Sequence, residues 1–392
     1  MHPRTLLAAL VVLAGCDLVP GPSIPDPIET KPPPARPTKP APAPTSQAES
    51  LTGLGNPFAD VYSSRFLNSK ANIKDLAIVD GRIYLGHGST RSHTYVRPVF
   101  YDLAAERWGN DDAKIKQEAT LGLQVGPSGR LYATSDDAQG INAVLMIRRE
   151  HDGSWTQRVV DNSENHSRDT YEWVDPGTGE TLVFIQNSAP YFPDVSLSYD
   201  GGETFTRYGY KKGDNIPSLD WYKFFEFKGE LYAAGLPNRP VFRGPAPPKR
   251  PYLVRYTGDR DRPFEVVTYD RDDVLPGEGT DIRGTEQIAG RIVLASLDFY
   301  SGDALSRDRM VKLDVPGRAM DLLRIGNEVY LLGADYSAKT SALYVTRDGR
   351  SVKEVATFDH VFTAMEHDGD AFYFSKSGGS EEHSLWRYVR GR

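Results

Sequence analysis

The sequence predicts an all-β fold for residues 51–392, and three observations carry that expectation. Short runs rich in Val, Ile, Tyr and Phe alternate with turns built on Gly, Asp and Pro, and long apolar stretches of helical period are absent. One turn motif recurs seven times along the domain. Each copy is flanked by β-rich segments of the length that a strand needs.

The motif is a turn Gly, a charged or polar residue, then apolar and aromatic residues. Copies are "DGRIYLGHG" at Gly81, "SGRLYATSD" at Gly129, "TGETLVFIQ" at Gly179 and "KGELYAAGL" at Gly229. They continue with "AGRIVLASL" at Gly290, "GNEVYLLGA" at Asn327 and "DGDAFYFSK" at Gly369. Asn at the sixth turn is expected to take the positive φ that Gly takes elsewhere. The intervals of 48, 50, 50, 61, 37 and 42 residues average 48. A hairpin about each turn, then a third and often a fourth strand, makes one four-stranded blade per interval. The expected architecture is a single β-propeller, most simply of seven blades. The long fifth and short sixth intervals leave six or eight as alternatives. The last repeat stops after its third strand, so a strand from before the first repeat is needed to close the ring. The segment "PFADVYSSRFLN" at 57–68 is expected to supply it, since closure removes sheet edges that would otherwise pair with other chains.

Ahead of the domain stand two further segments. Residues 1–15 carry Arg4 and then an apolar run too short to span a bilayer, the pattern of a signal peptide. The run ends in Leu13-Ala14-Gly15-Cys16, which resembles the lipobox of bacterial lipoproteins. That resemblance implies that Cys16 is acylated and becomes the mature N-terminus, anchoring the chain by more than one acyl chain. Cys16 is the only cysteine, so the folded domain has neither disulfide nor thiol chemistry. Asp17 resembles an inner-membrane retention signal of enterobacteria, and the choice between inner and outer membrane stays open. Residues 16–50 form the tether, with eleven prolines between positions 19 and 50. Such a segment favours polyproline II at ~3.1 Å per residue, a reach of about 100 Å. It reads either as a spacer or as a recognition segment for peptidoglycan or a partner's aromatic groove.

The formal charge is -7, with no basic run, which argues against nucleic acid as a partner. No phosphate-binding loop, zinc-protease motif, nucleophile elbow or calcium loop is present, and no metal or cofactor is expected. The domain is expected to be monomeric.

Between the third and fourth strands of the third repeat stands "SYDGGETF". Ser198, Asp200, Gly202, Thr204 and Phe205 resemble the Asp-box of sialidases, sortilin-type receptors and other BNR-repeat propellers, at the turn where those families carry it. Weaker copies are "HDGSW" at Asp152 and "TRDGRS" at Asp348. The resemblance implies a propeller fold and a structural role for these residues. The sialidase entry motif is not matched by "SRFLN" at 64–68, so no sialidase activity is implied. Trp108, Trp155, Phe205 and Phe264 follow similar turns and read as packing residues.

In a propeller, ligands bind where the loops entering the inner strands meet the loops joining second to third strands. Three constellations fall there. His87, Arg91 and His93 share one loop; they suit neutralisation and deprotonation of a uronate, as in propeller polysaccharide lyases, or simply form a solvated loop. Asp75, Glu172, Asp220 and Asp281 precede their turns; they suit glycoside hydrolysis, or they hydrogen-bond backbone N–H groups of neighbouring blades. Trp173 and Trp221 would stack on sugars if exposed and pack in the core if not. Asp136, Asp137, Tyr191, Arg239, Arg283, Asp298, Tyr300, Asp335, Tyr336, His360, Lys376 and Glu381 complete the candidate ligand face. The functional expectation is a membrane-anchored cell-envelope propeller, in the periplasm or on the surface, that binds a ligand, glycan first and an envelope protein second. The alternative is a carbohydrate-active enzyme, glycoside hydrolase or polysaccharide lyase.

Overall fold

The computed structural model describes residues 50–392 apart from 90–93, 139–142, 162–165, 189–193, 210–218, 238–251, 268–274, 277–281, 370, 378–380 and 392. The chain divides into two units, Met1–Thr45 and Ser46–Arg392. The first unit, with the expected signal peptide, Cys16 and most of the tether, lies outside the described residues.

The second unit is a seven-bladed β-propeller of four-stranded antiparallel blades. The innermost strands, in blade order, are Ile73–Val79, Leu123–Val125, His166–Val174, Leu219–Phe227, Gly284–Ile288, Arg318–Ile325 and Ala364–Asp368. The hairpins follow from local stereochemistry. Asp80-Gly81, Lys228-Gly229 and Ala289-Gly290 take positive φ at both turn positions, the pairing whose twist matches the flanking strands. The sixth turn departs from expectation. Gly326 takes the positive φ, 59°, and Asn327 does not. A glycine at the first turn position closes the hairpin by the alternative two-residue geometry, so Asn327 is relieved of strain.

Closure occurs, but by another segment than expected. Ser50–Gly53 pairs antiparallel with Leu385–Val389 and forms the outer strand of blade 7. The segment 57–68 instead makes two short helical turns, Phe58–Val61 and Leu67–Lys70. Its aromatic residues sit on a face rather than an edge. Phe58 is fully buried beside His87 at 5.1 Å between ring centroids, in the seam between blades 7 and 1.

Each blade presents an apolar face to the next. The seam between blades 3 and 4 holds Phe184, Phe224, Tyr256 and Phe264, with edge-to-face ring contacts. Of the four aromatics read as packing residues, Trp108 donates to Leu54 O at 2.6 Å, Trp155 donates to Asp111 Oδ2 at 2.7 Å, and Phe264 is buried. Phe205 packs against the seam between blades 2 and 3.

The turn at 198–204 is locked by side chains. Asp200 Oδ1 accepts the N–H groups of Glu203 and Thr204 at 3.0 and 2.8 Å, and Oδ2 accepts the Thr204 hydroxyl at 2.6 Å. The hydroxyls of Ser198 and Thr204, then backbone N–H groups, hold the Asp200 carboxyl well below the usual carboxylate range. Asp348 closes the corresponding turn of blade 6 in the same way. The N–H groups of Ser351 and Arg350 bring its pKa down to about 2.

One feature on the loop face was not read from the sequence. Gln117–Thr120 and Asp136–Ala138 form a ladder that runs from the second strand of blade 1 to the inner strand of blade 3, passing blade 2. Gly88 lies in that ladder at φ 123°, and a Cβ there would meet Glu118 O at 2.6 Å, so only glycine fits.

Candidate functional site

The inner strands enclose a central cavity of about 400 Å³. Its chemistry is set by irregularities at the start of those strands. In blades 1, 3, 4 and 6 the pairing register shifts near residues 75, 169, 223 and 321. A bulge turns one side chain out of the ladder toward its surroundings. Three of these residues are aspartates, and each reaches the next blade. Asp75 accepts the N–H of Leu76 at 2.9 Å and that of Leu123 in blade 2 at 2.8 Å. Asp321 accepts the N–H of Leu322 and that of Met365 in blade 7, both at 2.8 Å. Asp169 accepts the N–H of Phe224 in blade 4 at 2.8 Å. In blade 4 the side chain is Lys223, whose ammonium lies 3.3 Å from Asp169 Oδ1.

This leaves several carboxyls around one ammonium. Burial raises Asp75 to about 6, with Lys223 and backbone N–H groups opposing. Burial and then Asp75 raise Asp321 to about 7. Farther along the inner strands, burial raises Glu286 to about 7 and Glu366 to about 8; Asp321 and Asp75 add to the Glu366 shift. Burial also pulls on Lys223, but Asp169 and Asp75 outweigh it and hold the ammonium above its usual value.

These shifts predict the pH dependence of stability. An unfolded carboxyl titrates near ~4. The folded protein therefore retains protons on Asp75, Asp321, Glu286 and Glu366 at pH values where the unfolded chain has lost them. Stability is fullest near the unfolded value and falls as pH rises through the folded ones. His87, lowered to about 4 by burial and then by Lys70, and His360, lowered by burial and then by Lys376, oppose this trend up to their unfolded value. The melting temperature is expected to fall between pH 5 and pH 7, and to fall less in Glu366→Gln. A rise over that interval would contradict the assignment.

Arg283, at the loop-face end of blade 5's inner strand, lines the cavity. Its Nη1 donates to Met320 Sδ at 3.6 Å. The hydroxyl of Tyr336 donates to the same sulfur at 3.7 Å, and the Tyr336 ring is 55% exposed. An exposed tyrosine and a cavity-lining guanidinium thus share one sulfur as acceptor.

Two of the expected residues, Asp75 and Arg283, line the cavity. Glu172 is buried between blades, where it accepts the Ser128 N–H at 2.9 Å, the Ser128 hydroxyl at 2.7 Å and the Tyr132 hydroxyl at 3.0 Å. His87 is fully buried, with Nδ1 and Nε2 each 3.1 Å from a carbonyl, those of Lys70 and Arg97. No ring nitrogen is left for a substrate, and a neutral ring donates to only one of the two carbonyls. The adjacent Lys70 ammonium donates to the carbonyls of Thr94 and Glu118, and burial lowers it to about 7. Trp173 is buried in the seam between blades 3 and 4 and donates to Glu226 Oε2 at 3.2 Å. Tyr300 is half-buried against the seam between blades 4 and 5. Asp220 and Trp221 lie on the inner strand of blade 4, their side chains outside the description. Arg91, His93, Tyr191, Arg239 and Asp281 lie outside the described residues.

Sequence reasoning missed Lys223, Glu286, Asp321 and Glu366. A signal existed for two of them. Lys223 and Asp321 stand six residues before Gly229 and Asn327, the same offset at which Asp75 precedes Gly81.

No known family profile matches the chain, and no curated protein matches it. Solved structures do. The chain is similar to virginiamycin B lyase from Staphylococcus aureus, with a TM-score of 0.52 and 8% identity over 87% of this chain and 99% of that one. It is similar to a polysaccharide lyase, with a TM-score of 0.51 and 9% identity over 82% and 90%. It is also similar to the β-propeller domain of the Trilobed protease from Pyrococcus furiosus, with a TM-score of 0.52 and 10% identity over 81% and 95%. What they share with this chain is the β-propeller fold. At such identities the likeness does not extend to an activity.

Proposed function

We propose that the protein is a lipid-anchored propeller of the bacterial cell envelope that holds a glycan at the mouth of its central channel. The observation that carries this is a polar cavity of about 400 Å³ lined by Arg283, whose guanidinium shares the Met320 sulfur with the exposed Tyr336. Sugars need a flat apolar surface for their C–H faces and fixed polar groups for their hydroxyls, and ligand sites generally pair such elements. Cys16 and the proline tether would hold this mouth away from the membrane, and the turns at Asp200 and Asp348 fit the Asp-box resemblance as structural elements.

A second reading, a carbohydrate-active enzyme, is favoured by one observation. Glu286 and Glu366 line the cavity with pKa values of about 7 and 8, where a carboxylic acid still holds a proton to give. Calorimetric titration of the full-length protein, in a detergent without a sugar headgroup, against a panel of oligosaccharides separates the readings. Binding without product release is expected. Accumulation of shortened or unsaturated products would favour the enzyme. Absence of heat with every saccharide, with a protein captured by crosslinking instead, would overturn both.

A further inference from the structure

We infer that the seam between blades 7 and 1 holds a second ligand site, on the wall of the propeller, that takes a short neutral saccharide. It is built from other residues than the central cavity and does not depend on that cavity binding anything. The site is a cavity of about 490 Å³, within the roughly 300–1,000 Å³ that small-molecule sites occupy.

Strand register builds one wall. Tyr373, Arg387 and Thr52 are successive partners across the second, third and outer strands of blade 7, so they form a row on one face of the blade. Val389, two residues beyond Arg387, shares that face. Blade 1 supplies the opposite wall, with Tyr101 on its third strand and Leu103 and Glu106 in the turn that follows.

Two hydroxyls mark this cavity as a site. Tyr101 and Tyr373 are only 7% and 5% exposed, and their rings pack in the seam. Both side chains line the cavity, yet neither hydroxyl has a hydrogen-bond partner among the described residues. A buried tyrosine ordinarily finds one. Tyr84 donates to Asp111 at 3.0 Å, Tyr132 to Glu172 at 3.0 Å and Tyr330 to Glu328 at 2.6 Å. Burial, ahead of the neighbouring charges, raises both Tyr101 and Tyr373 above the ordinary phenol value, so each keeps a proton to donate. The charged groups on the lining are of both signs. Arg387 Nη1 stands 3.9 Å from Glu106 Oε1, beyond hydrogen-bond reach, and Asp368 adds a second carboxylate. A sugar hydroxyl donates and accepts at once, so it can bridge a guanidinium and a carboxylate. An anionic ligand would meet Glu106 and Asp368, and a cationic one would meet Arg387. Leu103 and Val389 offer apolar surface to the C–H groups of the sugar.

The test is titration calorimetry of the full-length protein, in a detergent without a sugar headgroup, with neutral disaccharides of glucose, galactose and N-acetylglucosamine. Tyr101→Phe and Tyr373→Phe remove one hydroxyl each and keep the ring. The double variant is expected to bind at least tenfold more weakly and to keep the wild-type melting temperature, because neither hydroxyl holds a partner. Glu366→Gln, in the central cavity, should leave this binding unchanged. Affinity that survives the double substitution and falls in Glu366→Gln would overturn the seam site and leave the glycan reading of the central cavity standing. A lower melting temperature in the double variant would overturn it too, since the hydroxyls would then hold the fold. Silence with every neutral disaccharide would also overturn the seam site, while an acidic oligosaccharide that bound the wild type and not Glu366→Gln would still support the central one.

Discussion

Cutting the chain back to begin at Pro57 is expected to open the ring and leave a protein that aggregates. Such a truncation removes Ser50–Gly53, the outer strand of blade 7, and the residues that lock it. Beyond the strand, Leu54 N–H donates to Leu385 O at 2.9 Å, Gly55 N–H donates to His383 Nδ1 at 2.9 Å, and Ser384 N–H donates to Gly55 O at 2.9 Å. Trp108 also loses its acceptor, Leu54 O. At roughly 1 kcal/mol net for each bond, these four contacts together contribute about 4 kcal/mol, and the ladder adds to that. The apolar losses fall on two seams at once, because Leu51 packs between blades 6 and 7 and Leu54 between blades 7 and 1. What remains exposed is the edge "LWRYV" at Leu385–Val389, a ready template for pairing with another chain. Gel filtration and urea unfolding of the truncated and full-length proteins provide the check. A truncated protein that stays monomeric with an unchanged midpoint would show that this strand does not close the fold. A gentler variant acts at the same place. Gly53→Ala would put a Cβ about 2.3 Å from the His383 ring, so that ring must leave its contact with Gly55 and stability must drop.

That closing strand marks the limit of what the sequence displays. The seven turns are legible because each imposes a local backbone demand, and a demand repeated at intervals averaging 48 residues is visible in one sequence. Ser50–Gly53 makes no such demand. It is four residues long with little apolar content, and it becomes a strand because Leu385–Val389 offers it an open edge. By contrast, 57–68 has the aromatic content of a strand but lies between a proline and a turn; its aromatics are used in a seam, and its backbone coils. The site divides in the same manner. Asp75 could be singled out because it precedes a repeat turn, and the option that such acids bind a neighbouring blade's N–H groups describes what it does. Glu286 and Glu366 are lone acids far apart in the chain, and only ring closure sets them around one cavity. His87 shows the reverse failure. Two histidines and an arginine in one loop suggest chemistry, yet His87 alternates inward on its strand and is packed against Phe58 and Tyr62.

Asp321→Ala is expected to destabilise the propeller by about 3 kcal/mol at pH 5.5 and by less at pH 8.5. The first figure follows from two buried N–H groups, those of Leu322 and Met365, left without an acceptor, at roughly 1–3 kcal/mol each. One of them belongs to blade 7, so the loss falls on a joint between blades and not within a hairpin. The pH dependence follows from the carboxyl's own cost. Burial and then Asp75 raise Asp321 to about 7, so its ionised form is disfavoured in the fold. Above that value the wild-type protein holds an unfavourable charge that the alanine variant lacks, and the two stabilities converge. Removal of Asp321 should also lower the Glu366 pKa, since Asp321 is among the groups that raise it. The double variant with Asp75→Ala tests the coupling: at pH 8.5 it should lose more than the sum of the single losses, because each single deletion already relieves the same repulsion and the double deletion relieves it only once. Urea midpoints at the two pH values decide the matter. Strict additivity with Asp75→Ala at pH 8.5 would mean that the channel carboxyls do not interact, and a loss for Asp321→Ala that is equal at both pH values would mean that burial does not raise its carboxyl. In the latter case Asp321 would be a simple acceptor at a blade joint, and the decline in stability from pH 5 to pH 7 would have to come from Asp75, Glu286 and Glu366.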